Sequence, residues 1–208
     1  LSVGMTFVIC MGEIDLSVGA IIGFSGMIMG MLCMAGVPSL AAALLGLAVS
    51  ALIGVINGAL VAYGKISSFI VTLASMTVLR GVILVWTNSK PIYGFSDIFT
   101  FLGSGKIGPI NVPIVLSLLI AVILHKTVLG IYCLFCGTSA LALNRSGVDV
   151  KKLKIVIYAI CGLCAGIAGM IVTARLNSAE PLAGQGYEMD AIAAAVLGGT
   201  SMQGGKGN

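Results

Sequence analysis

The chain has 208 residues, of which 59% are hydrophobic and only 9% charged, with a net charge of +4 and a mean hydropathy of +1.15. A soluble domain carries about 25% charged residues, so there are too few charges here to coat a water-facing surface. The alternating strands of a membrane barrel are absent as well, which leaves an all-α polytopic membrane protein.

The chain opens inside an apolar segment, LSVGMTFVIC, with neither an initiator Met nor a basic leader, so this is no signal peptide. It closes in a Gly-rich turn, GGTSMQGGKGN, and both ends read as cuts through a longer protein. After the opening segment comes GEIDLSVGAIIGFSG, which sets Glu13 and Asp15 before the first long apolar run, 18–35. Further runs follow at 40–62, 69–86, 112–124 and 155–174. A bilayer span needs ~20 mostly apolar residues, and only the 112–124 run is marginal. Small residues recur at helical spacing: Gly46, Ser50, Gly54 and Gly58 in one span, Gly162, Gly166 and Gly169 in another. Lipid gives little hydrophobic drive between helices, so such seams imply close backbone packing in a compact bundle.

Polar residues inside the spans are few. Arg80 lies mid-span, with Thr77 and Thr87 near the same helical face and Thr72 at its edge. A charge there costs ~2.5–3.5 kcal/mol on insertion scales, so the stripe either faces a translocation path or locks helices together. Asn57 is a similar path candidate. Lys126, Arg145, Lys151, Lys152 and Lys154 cluster in one long polar break, 126–154, which the positive-inside rule makes cytoplasmic. Lys65 then falls in a short cytoplasmic turn, and the connections 88–111 and 177–188 lie outside the cell. The pairs Cys133/Cys136 and Cys161/Cys164 have CxxC spacing, but one sits within a span and the single His125 lies elsewhere, so we expect packing residues and no metal.

The acids recur. Glu13-x-Asp15 is matched by Glu188-x-Asp190, with Gly eight residues after each Asp (Gly23, Gly198) and a hydroxyl ten after (Ser25, Thr200). Five spans separate the copies, so one pair is expected at each face, as in an inverted-topology repeat. Locally each pair precedes an apolar run, where a carboxylate accepts from first-turn N–H groups at the membrane surface. GGTSMQGGKGN is not a phosphate loop, because Lys206 is followed by Gly207. With one His and no nucleophile–base arrangement, no catalytic chemistry is expected in this chain.

Four stretches, GEIDLSVGA, NGALVAYGKISSFIVTLASMTVLRG, GTSALALNRSGVDVKKLK and ARLNSAEPLAGQGYEMDAIAAAVLGGTSMQGG, in this order and spacing resemble the membrane permease of ribose-, xylose- and arabinose-type ABC importers. The resemblance covers nearly the whole chain. It implies two inverted five-helix halves, a paired permease, an extracytoplasmic sugar-binding protein and a cytoplasmic ATPase that holds ATP and Mg. It also implies that 137–148 forms a short helix docking on that ATPase, through Gly137, Ala140, Leu141, Asn144, Arg145, Ser146 and Gly147. Leu141 stands where the family pattern usually has an acid, and Asn144 where a basic residue is frequent. The same machine with a nucleoside, a branched-chain amino acid or a furanone as cargo is the closest alternative. A stand-alone secondary transporter or channel would need an acid mid-span for ion coupling, and none is expected there.

Overall fold

The computed structural model describes residues 1–107 and 109–207, with the side chains at 102, 107, 110, 116, 117, 119, 120 and 123–125 outside that description. The helices are α1 (Ser2–Cys10), α2 (Val18–Met34), α3 (Ser39–Ala62), α4 (Ser68–Thr87), α5 (Asp97–Ser104), α6 (Val112–Lys126), α7 (Val128–Arg145), α8 (Val150–Leu176) and α9 (Tyr187–Leu197). Two-residue strands join them: β1 (Ile92–Tyr93), β2 (Lys106–Ile107), β3 (Ile110–Asn111) and β4 (Ser178–Ala179). Helices α3, α4, α7 and α8 are each long and apolar enough to cross a membrane.

Helix α8 is the central element and packs against α1, α2, α3, α5 and α7. Its seam with α3 is made of small residues. Gly54 lies against the backbone of Tyr158 and Ala159, and Gly58 against Ile155. From the other side Gly162 meets the Ser50 carbonyl and Gly166 the Ser50 side chain. Met29 of α2 fills the space over Gly46, and Gly169 of α8 meets Ser25 and Ile22. Absent side chains let the backbones approach, and dispersion contacts then replace lipid contacts.

The break expected at 126–154 is not a polar loop. Its first half, VLGIYCLFCG, is apolar and continues as α7, which bends at Ser139, the residue with non-helical φ/ψ inside it. At the other end of the bundle the connections 88–111 and 177–188 meet. Strand β1 pairs antiparallel with β4, Ile92 opposite Ala179, and Phe95 N donates to Asn177 Oδ1 at 2.9 Å. That pairing puts residues 92–93 and 178–179 at the same end of the bundle.

Candidate functional site

The chain reverses between α1 and α2. Gly12 adopts φ +74, a left-handed value that glycine takes without strain, and the next residues turn into the bundle. Asp15 has no exposed surface. Its Oδ1 accepts from Ser17 N at 2.9 Å and from Ser17 Oγ at 2.6 Å, and Ser17 Oγ in turn accepts from Asn57 Nδ2 of α3 at 3.0 Å. The Cys161 thiol of α8 flanks the carboxylate. Helix α4 holds the same segment: Ser68 Oγ accepts from Ile14 N at 3.4 Å, and Thr72 Oγ1 donates to Ser68 O at 2.8 Å and to Ile14 O at 3.4 Å. Glu13 forms an ion pair with Lys154 of α8. Residues 13–17 are thus gripped by α3, α4 and α8 together. Each polar group removed from water needs such a partner, because an unpaired one costs several kcal/mol.

The acid pairs do not lie at opposite faces. The 177–188 connection runs back along α2, so that Ala179 meets Gly30, Pro181 and Ala183 meet Gly23, and Gly184 and Glu188 meet Gly19. Glu188 therefore arrives one turn beyond Asp15, at the beginning of α2. The two motifs also differ in local structure. Asp15 precedes its helix and is buried, whereas Asp190 lies in the first turn of α9 and is exposed. The expected place at the membrane surface is corrected too: Asp15 borders Cys161, about 16 Å along α8 from its first residue. Capping survives in part, since Glu188 Oε1 accepts from Gly186 N at 3.3 Å.

The path candidates divide. Asn57 and Thr72 join the Asp15 network. Thr77 is exposed and bonds only its own helix, donating to Leu73 O at 2.8 Å, and Thr87 donates to Ile83 O at 2.7 Å. The five-residue step from Thr72 to Thr77 turns about 140° around a helix, so the two point apart. Arg80 is half-buried, and its Nη1 and Nη2 have no hydrogen-bond partner among the described residues.

At the far end of α7, Ser139 Oγ accepts from Ala142 N at 3.2 Å and so caps a new short helix. Gly147 ends it at φ +90. Val148 N donates to Leu143 O at 3.4 Å and Gly147 N to Asn144 O at 3.1 Å, a Schellman closure. Leu143 is the buried anchor, while Leu141 is 63% exposed, and Ala140, Asn144, Arg145 and Ser146 are exposed beside it. Gly137 sits where Cys10 O and Gly205 N approach, leaving no room for a side chain. A cavity of about 940 Å³ opens next to this helix, lined among others by Glu13, Lys65, Leu141, Asn144, Lys151 and Lys154.

Ser17, Ser139 and the Glu13–Lys154 pair were not singled out from sequence. Ser139 carried a signal, a hydroxyl before a run of helix formers; the other two depend on segments far apart in the chain. All six cysteines are free, and Gly4 packs directly on Cys161 and Cys164. Among the described residues no three His, Cys, Asp or Glu side chains are grouped to hold a metal, and the His125 side chain lies outside them.

A multi-helix body does not by itself name a function, and the comparison with known proteins supplies it. The family model described as branched-chain amino acid transport system / permease component matches residues 1–205, and the chain belongs to that family. The ribose import permease protein of Escherichia coli (strain K12) is 44% identical over 100% of this chain and 67% of its own length. The ribose import permease protein of Bacillus subtilis (strain 168) is 45% identical over 98% of the chain and 65% of its own. The D-allose transport system permease protein of Escherichia coli (strain K12) is 44% identical over 100% and 65%. The chain thus spans about two thirds of the length of these curated relatives. No solved structure matches. The chain is a multi-pass protein of the bacterial inner membrane.

Proposed function

We propose that this chain is the permease subunit of an ABC importer that moves a monosaccharide, ribose or a close relative, into the cytoplasm. The observation that carries the reading is the 44% identity to ribose import permease proteins along the full chain, matched by the D-allose permease. Energy comes from a separate ATPase that binds ATP and Mg, sugar is delivered by an extracytoplasmic binding protein, and two permease copies work together. The docking helix for the ATPase is 139–147. Its exposed Leu141 supports that role, with Arg145 in the last helical turn beside it. The reading with another cargo, such as a branched-chain amino acid, rests only on the family's description.

The test uses the full-length permease with its ATPase and binding protein. Leu141→Asp puts a charge where apolar burial is expected. A fully buried Leu contributes ~1.5–3 kcal/mol, so affinity for the ATPase should fall by about one to two decades at ~1.4 kcal/mol each. ATPase co-purification and ribose uptake are expected to drop together, with sugar binding by the isolated binding protein unchanged. Full ATPase association together with sugar-stimulated hydrolysis in the variant would show that 139–147 is not the docking helix.

A further inference from the structure

We propose that the Glu13–Lys154 ion pair is the strut through which movement of the docking helix reaches the buried turn between α1 and α2. Glu13 and Lys154 are then positioning residues for transport. This rests on the permease reading above.

Three features of the structure carry the inference. The first is rigidity on the cytoplasmic side. The Schellman closure at Gly147 is followed within two residues by Asp149, whose Oδ1 accepts from Lys151 N and Lys152 N at 3.0 and 3.2 Å and caps α8. The docking helix and the first turns of α8 are therefore joined by a short corner that is closed on one side by Gly147 and Val148 and capped on the other by Asp149, and Lys154 rides on it. The second is rigidity on the inner side. Glu13 is two residues from Asp15, whose Oδ1 Ser17 holds while Asn57 holds Ser17. A shift of Glu13 reaches Asp15 along the backbone, with no flexible segment between them.

The third is what the pair itself is. The side chains of Lys154 and Glu13 are 23% and 14% exposed, so salt screens them weakly. The other ion pair among the described residues, Lys152–Asp149, is local and exposed at 3.8 Å, and Lys151 lies over the Tyr63 ring at 5.2 Å from its centroid. Among the described residues, only Glu13–Lys154 connects the corner after the docking helix to the α1–α2 turn by charge. Both residues also line the cytoplasmic cavity together with Leu141 and Asn144. A partner domain that fills this cavity presses on the docking helix and on the strut at once.

The experiment is a charge-removal and charge-swap series in the reconstituted full-length importer, reading sugar-stimulated over unstimulated ATP hydrolysis and ribose uptake per ATP. Glu13→Gln and Lys154→Met are each expected to lower the stimulation ratio about fivefold or more, the lower end of ordinary coupling between sites. Glu13→Lys combined with Lys154→Glu is expected to recover most of it, and Lys154→Arg to keep it. A pair that merely stabilises the fold would lower melting temperature and protein yield in proportion, leaving the ratio of the surviving protein at the wild-type value. That result overturns the strut, as does a swap no better than the singles. If the singles fail to assemble, the swap and Lys154→Arg decide alone, and uncoupling in both overturns the proposal. A wild-type importer that ribose and its binding protein fail to stimulate overturns the permease reading instead.

Discussion

Asp15 and Arg80 show two ways of placing a charged residue type in an apolar bundle. Asp15 is half satisfied: its Oδ1 accepts from Ser17, which Asn57 holds in turn, while its Oδ2 is buried with no hydrogen-bond partner among the described residues. Arg80 goes further, with both terminal nitrogens buried and no partner for either among the described residues. A guanidinium in that position is costly to the fold, which argues that its use lies in transport. Arg80→Ala is therefore expected to leave the melting temperature unchanged or higher while ribose uptake falls about tenfold or more, the equivalent of ~1.4 kcal/mol. Arg80→Lys should restore only part of it, because a point-charge ammonium does not replace a planar fork of donors. Normal uptake by the alanine variant would assign Arg80 to snorkelling instead.

Among the elements, the α3–α8 seam bears the packing. A Cβ on Gly54 would stand 2.8 Å from the Tyr158 carbonyl carbon and 2.9 Å from Ala159 Cα, both backbone atoms of a central helix. Neither can yield without moving α8, and overpacking of this kind costs about 1–3 kcal/mol. Gly81 of α4 offers the contrast, since nothing stands within 4 Å of a Cβ added there. Gly54→Ala is expected to lower the melting temperature in detergent. Gly81→Ala should leave it unchanged or raise it, given that Ala is favoured over Gly by ~0.8–1.0 kcal/mol in a helix. Equal effects of the two substitutions would mean that the seam does not hold α3 to α8. The short helix 140–145 is a second element whose limits are set locally, by the Ser139 cap at one end and the Gly147 turn at the other.

For the whole molecule, two groups of segments define the faces. The connections 88–111 and 177–188 are tied by the β1–β4 pairing, and the α3–α4 turn, the short helix 140–145 and the start of α8 surround one cavity at the other end. Labelling of single cysteines in a cysteine-free protein tests this arrangement. Gly147 and Gly184 are poor probes, since both have positive φ and Gly184 packs on Gly19 and Ile22. Ser146 and Lys90 are exposed without that strain. Ser146→Cys is expected to react only from the cytoplasm and Lys90→Cys only from outside. Reaction of both from one side would refute the orientation.

Much of this was legible in the residues taken in order. The apolar runs became α2, α3, α4, α6 and α8 within a few residues of their expected limits, because hydropathy over a span and the demand for internal hydrogen bonding act locally. The spacing of Gly54, Gly58, Gly162 and Gly166 marked the seam, and Ala140–Leu143 before Gly147 marked the short helix at the end of α7, since helical period and capping also act within a turn or two. The acids were different. Glu13-x-Asp15 and Glu188-x-Asp190 look alike as text, yet one became a buried, bonded turn and the other the start of a helix with Asp190 exposed. That outcome depends on the 177–188 connection folding back along α2 to Gly19, and on Asn57, Thr72 and Lys154 reaching residues 13–17 from other helices. Contacts between positions 40 to 141 residues apart leave no periodic trace in a sequence. Only the packed bundle decides which carboxylate is buried and what holds it.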